Sequence, residues 1–236
     1  MRNNGGVKPR FDHPWNVSQD AAEEIRSALA AARDPRPVPG GTGGFRRAMV
    51  VAMTERGAGG VVVDWPGGRV RRRLSFPRPR AAVFLPTAPT FLGAQTVDPI
   101  LTALPEAPDV LIVEEDSLRP GAFGLADHLG VRWGIPSVAL SARCAGDWDE
   151  PPPGLDGAHV FVKDGGAPVA LAVRPRAHRP PLFVAPGHRM DLMGALDVVL
   201  SLPLDPRRAE PRALGRARAA LAAKKSRAVP RRRKVL

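Results

Sequence analysis

The sequence predicts an α/β protein whose mixed β-sheet is flanked by helices. Strand patterns come first and are separated by short turns, whereas apolar strands alternate with helical patterns from residue 110 onward. Strands joined by turns pair antiparallel, and strands separated by a helix favour parallel pairing, so the two patterns together indicate a mixed sheet. A hydrophobic content of 44% is ample for the core of such a fold.

The first half of the chain predicts one helix followed by strands joined by turns. Ser18 or Asp20 can cap a helix over residues 21–33, in which Ile25 and Leu29 face inward. The strands and the proline-rich loop after them are predicted at residues 48–53, 60–65, 69–76 and 77–89.

The second half predicts strands that alternate with helices and include one hairpin. Further strands are predicted at residues 110–113, 135–140, 159–163, 169–174 and 182–185. Helices are predicted at residues 97–104, 121–129, 192–200 and 212–225. Asp191 caps the third of these helices. The run at residues 110–113 has no polar alternation, which predicts a central strand covered on both faces.

Composition limits the class of protein. No apolar run approaches the 18 residues that a membrane span needs, so no membrane partner is expected. The first ten residues are polar and show no secretory signal. A single cysteine, Cys144, excludes an internal disulfide and fits a reducing compartment, so the sequence predicts a cytoplasmic protein.

The positive charge is concentrated in residues 207–236. This stretch contains 12 Lys/Arg and one acid, whereas the rest of the chain has 23 basic and 22 acidic residues. We therefore divide the chain into a disordered segment (1–17), a folded domain (18–206) and a basic tail (207–236). Such a tail attracts phosphate irrespective of sequence, and the alternative is a solvated tail with no specific partner.

Basic residues in two regions are candidates for contact with nucleic acid. The third strand has consecutive arginines, which fit either an edge strand or a binding face. The candidates are Arg71 and Arg73 in that strand, and Lys224, Lys225, Arg231, Arg232 and Arg233 in the tail.

Carboxylates cluster where the predicted central strand ends. Glu114, Glu115 and Asp116 follow the apolar run, and carboxylates at such a place commonly hold Mg²⁺. Alternation along the strand puts Glu114 and Asp116 on one side. His188 and Arg189 stand at another turn from a strand to a helix, a favoured place for chemistry. Each feature also has an alternative without activity. The three acids could form a loop that leads into a helix, and His188 could be a surface residue.

Two motifs resemble the endonuclease V family. Residues 123–130 read Phe-Gly-Leu-Ala-Asp-His-Leu-Gly and precede Ile-Pro-Ser-Val at 135–138, and residues 181–189 read Pro-Leu-Phe-Val-Ala-Pro-Gly-His-Arg. The resemblance covers residues 21–202 and implies a ribonuclease H-like fold. It further implies Mg²⁺-dependent hydrolysis of a phosphodiester bond near deaminated purines, chiefly inosine or hypoxanthine.

The same resemblance implies site residues, most of which differ from the family. The family's first-strand aspartate corresponds to Thr42, and its helix glutamate falls near Gln95 or Thr96. Its central-strand aspartate corresponds to Glu114, and its histidine is His188. The implied metal ligands are therefore Glu114, Asp116 and His188, and the implied catalytic positions are Glu114, His188 and Thr42.

The implied contacts with nucleic acid also depart from the family. The family's proline-flanked aromatic wedge corresponds to a segment without an aromatic residue, and a family lysine falls near Arg143. The segment consists of Pro86, Thr87, Ala88 and Pro89. Together with Arg143 and Arg189, these residues are the further candidates for contact with nucleic acid.

These departures leave two functions open. Neutral Thr42 cannot replace an anionic ligand, and the extra methylene of Glu114 shifts a carboxylate by roughly 1 Å, which can cost on the order of 10²-fold in rate. The first hypothesis is a family member that binds nucleic acid, DNA or RNA, or a protein partner, with weak or lost activity. The second is an active nuclease that uses Glu114, Asp116 or Glu115, His188 and Asp64.

Overall fold

The computed structural model describes residues 7–79, 85–86, 88–205, 207 and 210–226. The strands are β1 (Arg47–Thr54), β2 (Gly57–Asp64), β3 (Val70–Pro77), β4 (Val110–Glu114), β5 (Ser137–Ser141), β6 (Ala158–Asp164), β7 (Ala167–Arg174) and β8 (Leu182–Pro186). The α-helices are α1 (Gln19–Ala31), α2 (Thr90–Thr102), α3 (Leu125–Trp133), α4 (Leu192–Leu200) and α5 (Arg212–Ser226).

The described strands form one eight-stranded mixed sheet in the order β3-β2-β1-β4-β5-β8-β7-β6. The first three strands pair antiparallel, β1 pairs parallel with β4, and β4 pairs parallel with β5. Strand β8 runs antiparallel to both β5 and β7. The predicted mixed sheet flanked by helices is confirmed.

Strand β4 lies in the middle of the sheet and is covered on both faces, as predicted. Val110, Leu111, Ile112 and Val113 are each 0% exposed. Their side chains alternate between two apolar clusters: α4 and α5 cover one face of the sheet, and α2 and α3 cover the other. Burying both faces is what allows a strand to consist of apolar residues alone.

Two predicted helices begin at other residues than the sequence pattern suggested. Helix α2 begins at Thr90 rather than residue 97, because its buried face already includes Phe91 and Ala94. Helix α3 begins after Gly124, whose N–H donates to the Asp127 carboxylate at 2.9 Å. Helices α1 and α4 have the predicted caps, Ser18 and Asp191.

Both predicted terminal segments contain residues that pack on the domain. Ala213, Leu214 and Ala217 of α5 are buried in the cluster shared with the sheet. In the N-terminal segment, His13 is buried and its Nε2 lies 3.1 Å from Nε2 of His128. The domain that the structure describes therefore includes residues on either side of 18–206.

The helices that the structure describes include none that is long and apolar enough to cross a lipid bilayer.

The burial of β4 predicts a large effect of truncation in its middle. We expect Leu111→Ala to lower the free energy of unfolding by about 3 kcal/mol, because it removes buried methyl groups and leaves a cavity. The same change at Leu155, which is 61% exposed, is the control and should have little effect. Urea unfolding followed by circular dichroism measures both, and equal effects would contradict the central position of β4.

Candidate functional site

Glu114 ends β4 at the edge we call the carboxyl end of the sheet. Val51 of β1 pairs with Val113, so the next residue, Ala52, is level with Glu114. On the other side Glu114 pairs with Leu140 of β5. Both neighbouring strands therefore present apolar residues beside this carboxylate, and neither adds a second one.

A cation from the C-terminal helix binds Glu114 directly. Arg218 Nε donates to Glu114 Oε2 at 3.1 Å, and Arg218 Nη2 donates to Oε1. Arg218 Nη1 donates to both carboxylate oxygens of Glu210, at 2.8 and 3.0 Å. The hydrogen bonds to Glu114 raise the pKa of Arg218, so the guanidinium remains charged. The single positive charge of Arg218 is thus shared by two carboxylates, Glu114 and Glu210.

The other two acids after β4 point elsewhere. Glu115 turns away from Glu114 and its Oε1 accepts a hydrogen bond from Ala126 N, at 3.0 Å, in the first turn of α3. Burial raises the pKa of Glu115 to about 7. Asp116 is exposed, and its backbone oxygen accepts a hydrogen bond from Arg143 Nε at 3.0 Å. The three consecutive carboxylates therefore do not converge on one point.

His188 lies at the opposite edge, the amino end of the sheet, where β4 begins at Val110. It follows β8, in which Pro186 pairs with Val138, so His188 is level with Pro136 and not with Leu140. Four residues of β5 separate it from the level of Glu114, about 13 Å at roughly 3.3 Å per residue. His188 Nδ1 accepts a hydrogen bond from Asp34 N at 3.2 Å, and burial lowers the pKa of its ring. One ion cannot contact both side chains.

Thr42 also lies at the amino end and not on the first strand. It belongs to a short 3-10 turn, Gly41–Gly44, that precedes β1, and its hydroxyl donates to the Asp197 carboxylate of α4. The assignment of Thr42 to a first-strand position is therefore corrected. The pairing register places Ala52 beside Glu114 instead.

The remaining candidates lie in different parts of the chain, and one of them is buried. Arg189 follows His188 at the amino end with φ +52°, and Arg71 Nε donates to Asp64 Oδ1 at 2.6 Å. In the segment compared with the family's wedge, Ala88 is buried, Pro86 and Pro89 are exposed, and Thr87 lies outside the described residues. Arg231, Arg232 and Arg233 also lie outside them, and the side chains of Lys224 and Lys225 are not described.

The residues present do not fit a Mg²⁺ site. The ion prefers octahedral oxygen ligands, usually from carboxylates that converge. Across the described part of the chain, no group of three or more His, Cys, Asp or Glu side chains could hold a metal ion. At the carboxyl end, Glu114 stands beside apolar strands and is bound by a guanidinium.

The sequence motifs lie on this framework and match a known family. The profile of the endonuclease V family matches residues 49–216, which include β4, β8 and the start of α5. The chain belongs to the endonuclease V family. An endonuclease V from Roseiflexus sp. (strain RS-1) is 31% identical over 205 residues, which cover 81% of this chain and 87% of the relative.

Solved structures of endonuclease V share the fold. The protein from Streptomyces avermitilis superposes with a TM-score of 0.73 at 24% identity, covering 94% of this chain and 100% of the other. The protein from Ciona intestinalis has a TM-score of 0.58 at 15% identity, covering 88% and 95% of the two chains. Its structure is a complex with a 24mer DNA that contains an inosine followed by a ribo-adenosine.

The sequence analysis did not identify Arg218, which binds Glu114, or Ala52, which lies beside it. Arg218 follows buried Leu214 by four residues and buried Ala217 by one, so the helical pattern puts a cation at the margin of the buried face. That signal was available in the sequence. The position of Ala52 depends on the register between β1 and β4, which the sequence does not display.

The buried carboxyl of Glu115 predicts a pH-dependent stability. Its pKa rises from 4.5 to about 7 on folding, so between these pH values the unfolded state releases a proton that the folded state retains. Stability should therefore fall as pH rises through this window, by up to about 3 kcal/mol. Unfolding of Glu115→Gln should lack this decline, so the variant should be the more stable protein at pH 8. The same change at exposed Glu23 is the control, and a decline that persists in Glu115→Gln would contradict the assignment.

Proposed function

We propose that this chain is a nucleic-acid-binding member of the endonuclease V family with weak or lost phosphodiesterase activity. The proposal rests chiefly on one observation, the ion pair between Glu114 and Arg218. Phosphodiester hydrolysis by this family is expected to need Mg²⁺, which polarises the phosphate and activates water. A guanidinium offers neither open coordination positions nor a bound water of lowered pKa.

The partners of Arg218 support this reading. The guanidinium contacts two carboxylates, Glu114 and Glu210, and the Arg218 and Glu114 side chains are 33% and 22% exposed. A Mg²⁺ ion that bound Glu114 would have to break a two-point contact and would meet a like charge nearby. Ala52 and Leu140 on the adjoining strands add no carboxylate, and the second carboxylate at this end, Glu210, is bound by the same guanidinium.

Binding of nucleic acid is supported by charge and by a relative. The chain carries a net charge of +12, and phosphate contacts made by Lys and Arg supply affinity irrespective of sequence. The Ciona intestinalis protein of the same fold is bound to DNA in its solved structure. We propose that this chain binds DNA or RNA in the same general role, without cutting it efficiently.

A cleavage assay tests the loss of activity. We expect the unmodified chain to cut inosine-containing DNA or RNA in Mg²⁺ no faster than its Glu114→Gln variant, because the carboxylate is already bound by Arg218. His188→Ala should be equally without effect on cleavage, since His188 lies at the other end of the sheet. Efficient cleavage that Glu114→Gln or His188→Ala abolishes would instead favour the second hypothesis, a nuclease with shifted carboxylates.

A salt titration tests the contribution of the basic end of the chain. Removing residues 227–236 takes away five Lys/Arg side chains and leaves the described helices intact. We expect weaker binding to duplexes of any sequence, and a plot of log K against log salt that is less steep by up to about 4. A full-length variant with glutamine at those five positions is the matched control for charge.

Three outcomes of this titration are distinct. The deletion and the glutamine variant should behave alike if charge alone matters. An unchanged slope in both would show that this segment does not contact phosphate. Failure of the unmodified chain to bind any nucleic acid would overturn the proposed function and favour a protein partner.

A further inference from the structure

A second group of arginines surrounds a cavity at the amino end of the sheet. The cavity has a volume of about 330 Å³ and lies between the β2–β3 turn and the start of α5. Arg69, Arg73, Arg212 and Arg216 line it, and none of the ten described lining residues is acidic. We call it the arginine cavity. Its turn end is level with Val110, about 13 Å along the strands from Glu114, and Arg73 is level with Ile112, about 7 Å from it.

The walls of the arginine cavity are held by backbone contacts. Gly68 N donates to Asp64 O at 2.7 Å and Asp64 N donates to Arg69 O at 2.9 Å, which closes the turn. Gly68 has φ +66°, and a Cβ there would come within 2.5 Å of Pro203 Cδ. The absence of a side chain at Gly68 therefore allows the turn to pack closely against the segment that leads into α5.

The two arginines of α5 are positioned by main-chain oxygens. Arg212 Nε donates to Leu204 O at 2.9 Å, and Arg216 Nη1 donates to Gly68 O at 3.3 Å. A guanidinium has five N–H donors, so each of these contacts leaves several donors for a ligand.

The other two arginines come from β3 and the residue before it: Arg73 lies within the strand, and Arg69 precedes it, where its charge helps to lower the pKa of Asp64. Arg72 Nη1 reaches Ala103 O beyond α2, and the neighbouring Arg73 lines the cavity on the side of α5. Within the described residues, no carboxylate forms an ion pair with Arg69 or Arg73; the nearby Asp64 pairs with Arg71. Four guanidinium groups around one space repel one another unless an anion enters it.

We propose that the arginine cavity binds a phosphate group, the chemistry shared by free phosphate and by the phosphodiester of a nucleic-acid strand. Guanidinium groups donate paired hydrogen bonds to the oxygens of phosphate, and several of them around one anion satisfy all of its acceptors. Phosphate binding here does not depend on the proposed function. A nucleic-acid strand as the source of that phosphate does rest on it.

The test compares Arg69→Gln/Arg73→Gln with the unmodified chain. Both arginines are exposed and neither makes an ion pair among the described residues, so the double variant should fold normally. Titration calorimetry with inorganic phosphate, at an ionic strength held constant with KCl, measures the dissociation constant. We expect it to rise by about tenfold or more in the variant, because two charged donors are lost. Lys163→Gln/Arg179→Gln is the control: it removes the same charge near the opposite edge of the sheet, from exposed residues that likewise form no ion pair among the described residues.

The outcomes decide both the site and its ligand. Equal phosphate binding by the two double variants, or no phosphate binding by the unmodified chain, would overturn the proposal. With phosphate binding lost only in Arg69→Gln/Arg73→Gln, a parallel titration with single-stranded DNA identifies the source of the phosphate. A matching loss of DNA affinity means that a strand occupies the cavity, and unchanged DNA affinity means that free phosphate does.

Discussion

Strand β4 must be covered on both faces, and this constraint governs the architecture around it. Its four 0%-exposed residues alternate between two apolar clusters, so α4 and α5 are required on one side and α2 and α3 on the other. The last residue of the same strand, Glu114, is a carboxylate beside apolar neighbours. A charge held against a protein core needs a compensating partner, and this chain provides one in Arg218.

The source of that partner links the end of the chain to the middle of the sheet. Helix α5 is short of acids and rich in arginine, yet its Ala213, Leu214 and Ala217 are buried in the same cluster as β4. Packing of these buried side chains brings the helix close enough for Arg218 to reach Glu114 and for Arg216 to reach Gly68 O. One helix thus supplies cations at both ends of the sheet. These cations form contacts within the folded domain as well as adding positive charge to its surface.

Most of the fold was predictable because it follows from patterns among residues that are close together in the sequence. The apolar run of β4, the turn before β3 and the caps Ser18 and Asp191 each follow from neighbouring residues. The candidate site was less predictable, because it depends on strand register and strand direction. Thr42 matches a motif by spacing but precedes β1, and His188 follows a strand that runs antiparallel to β5 and so ends at the other edge. The residues next to Thr42 and His188 in the sequence do not indicate these positions in the sheet.

The two outer strands of the described sheet, β3 and β6, carry features that disfavour pairing with a strand of another molecule. Strand β3 presents consecutive arginines and has an irregular register against β2 near Val62, and β6 has a similar irregularity near Val162. An outer strand exposes unpaired N–H and C=O groups to which a strand from another molecule could add. The arginines of β3 and the interrupted register of both outer strands disfavour that addition.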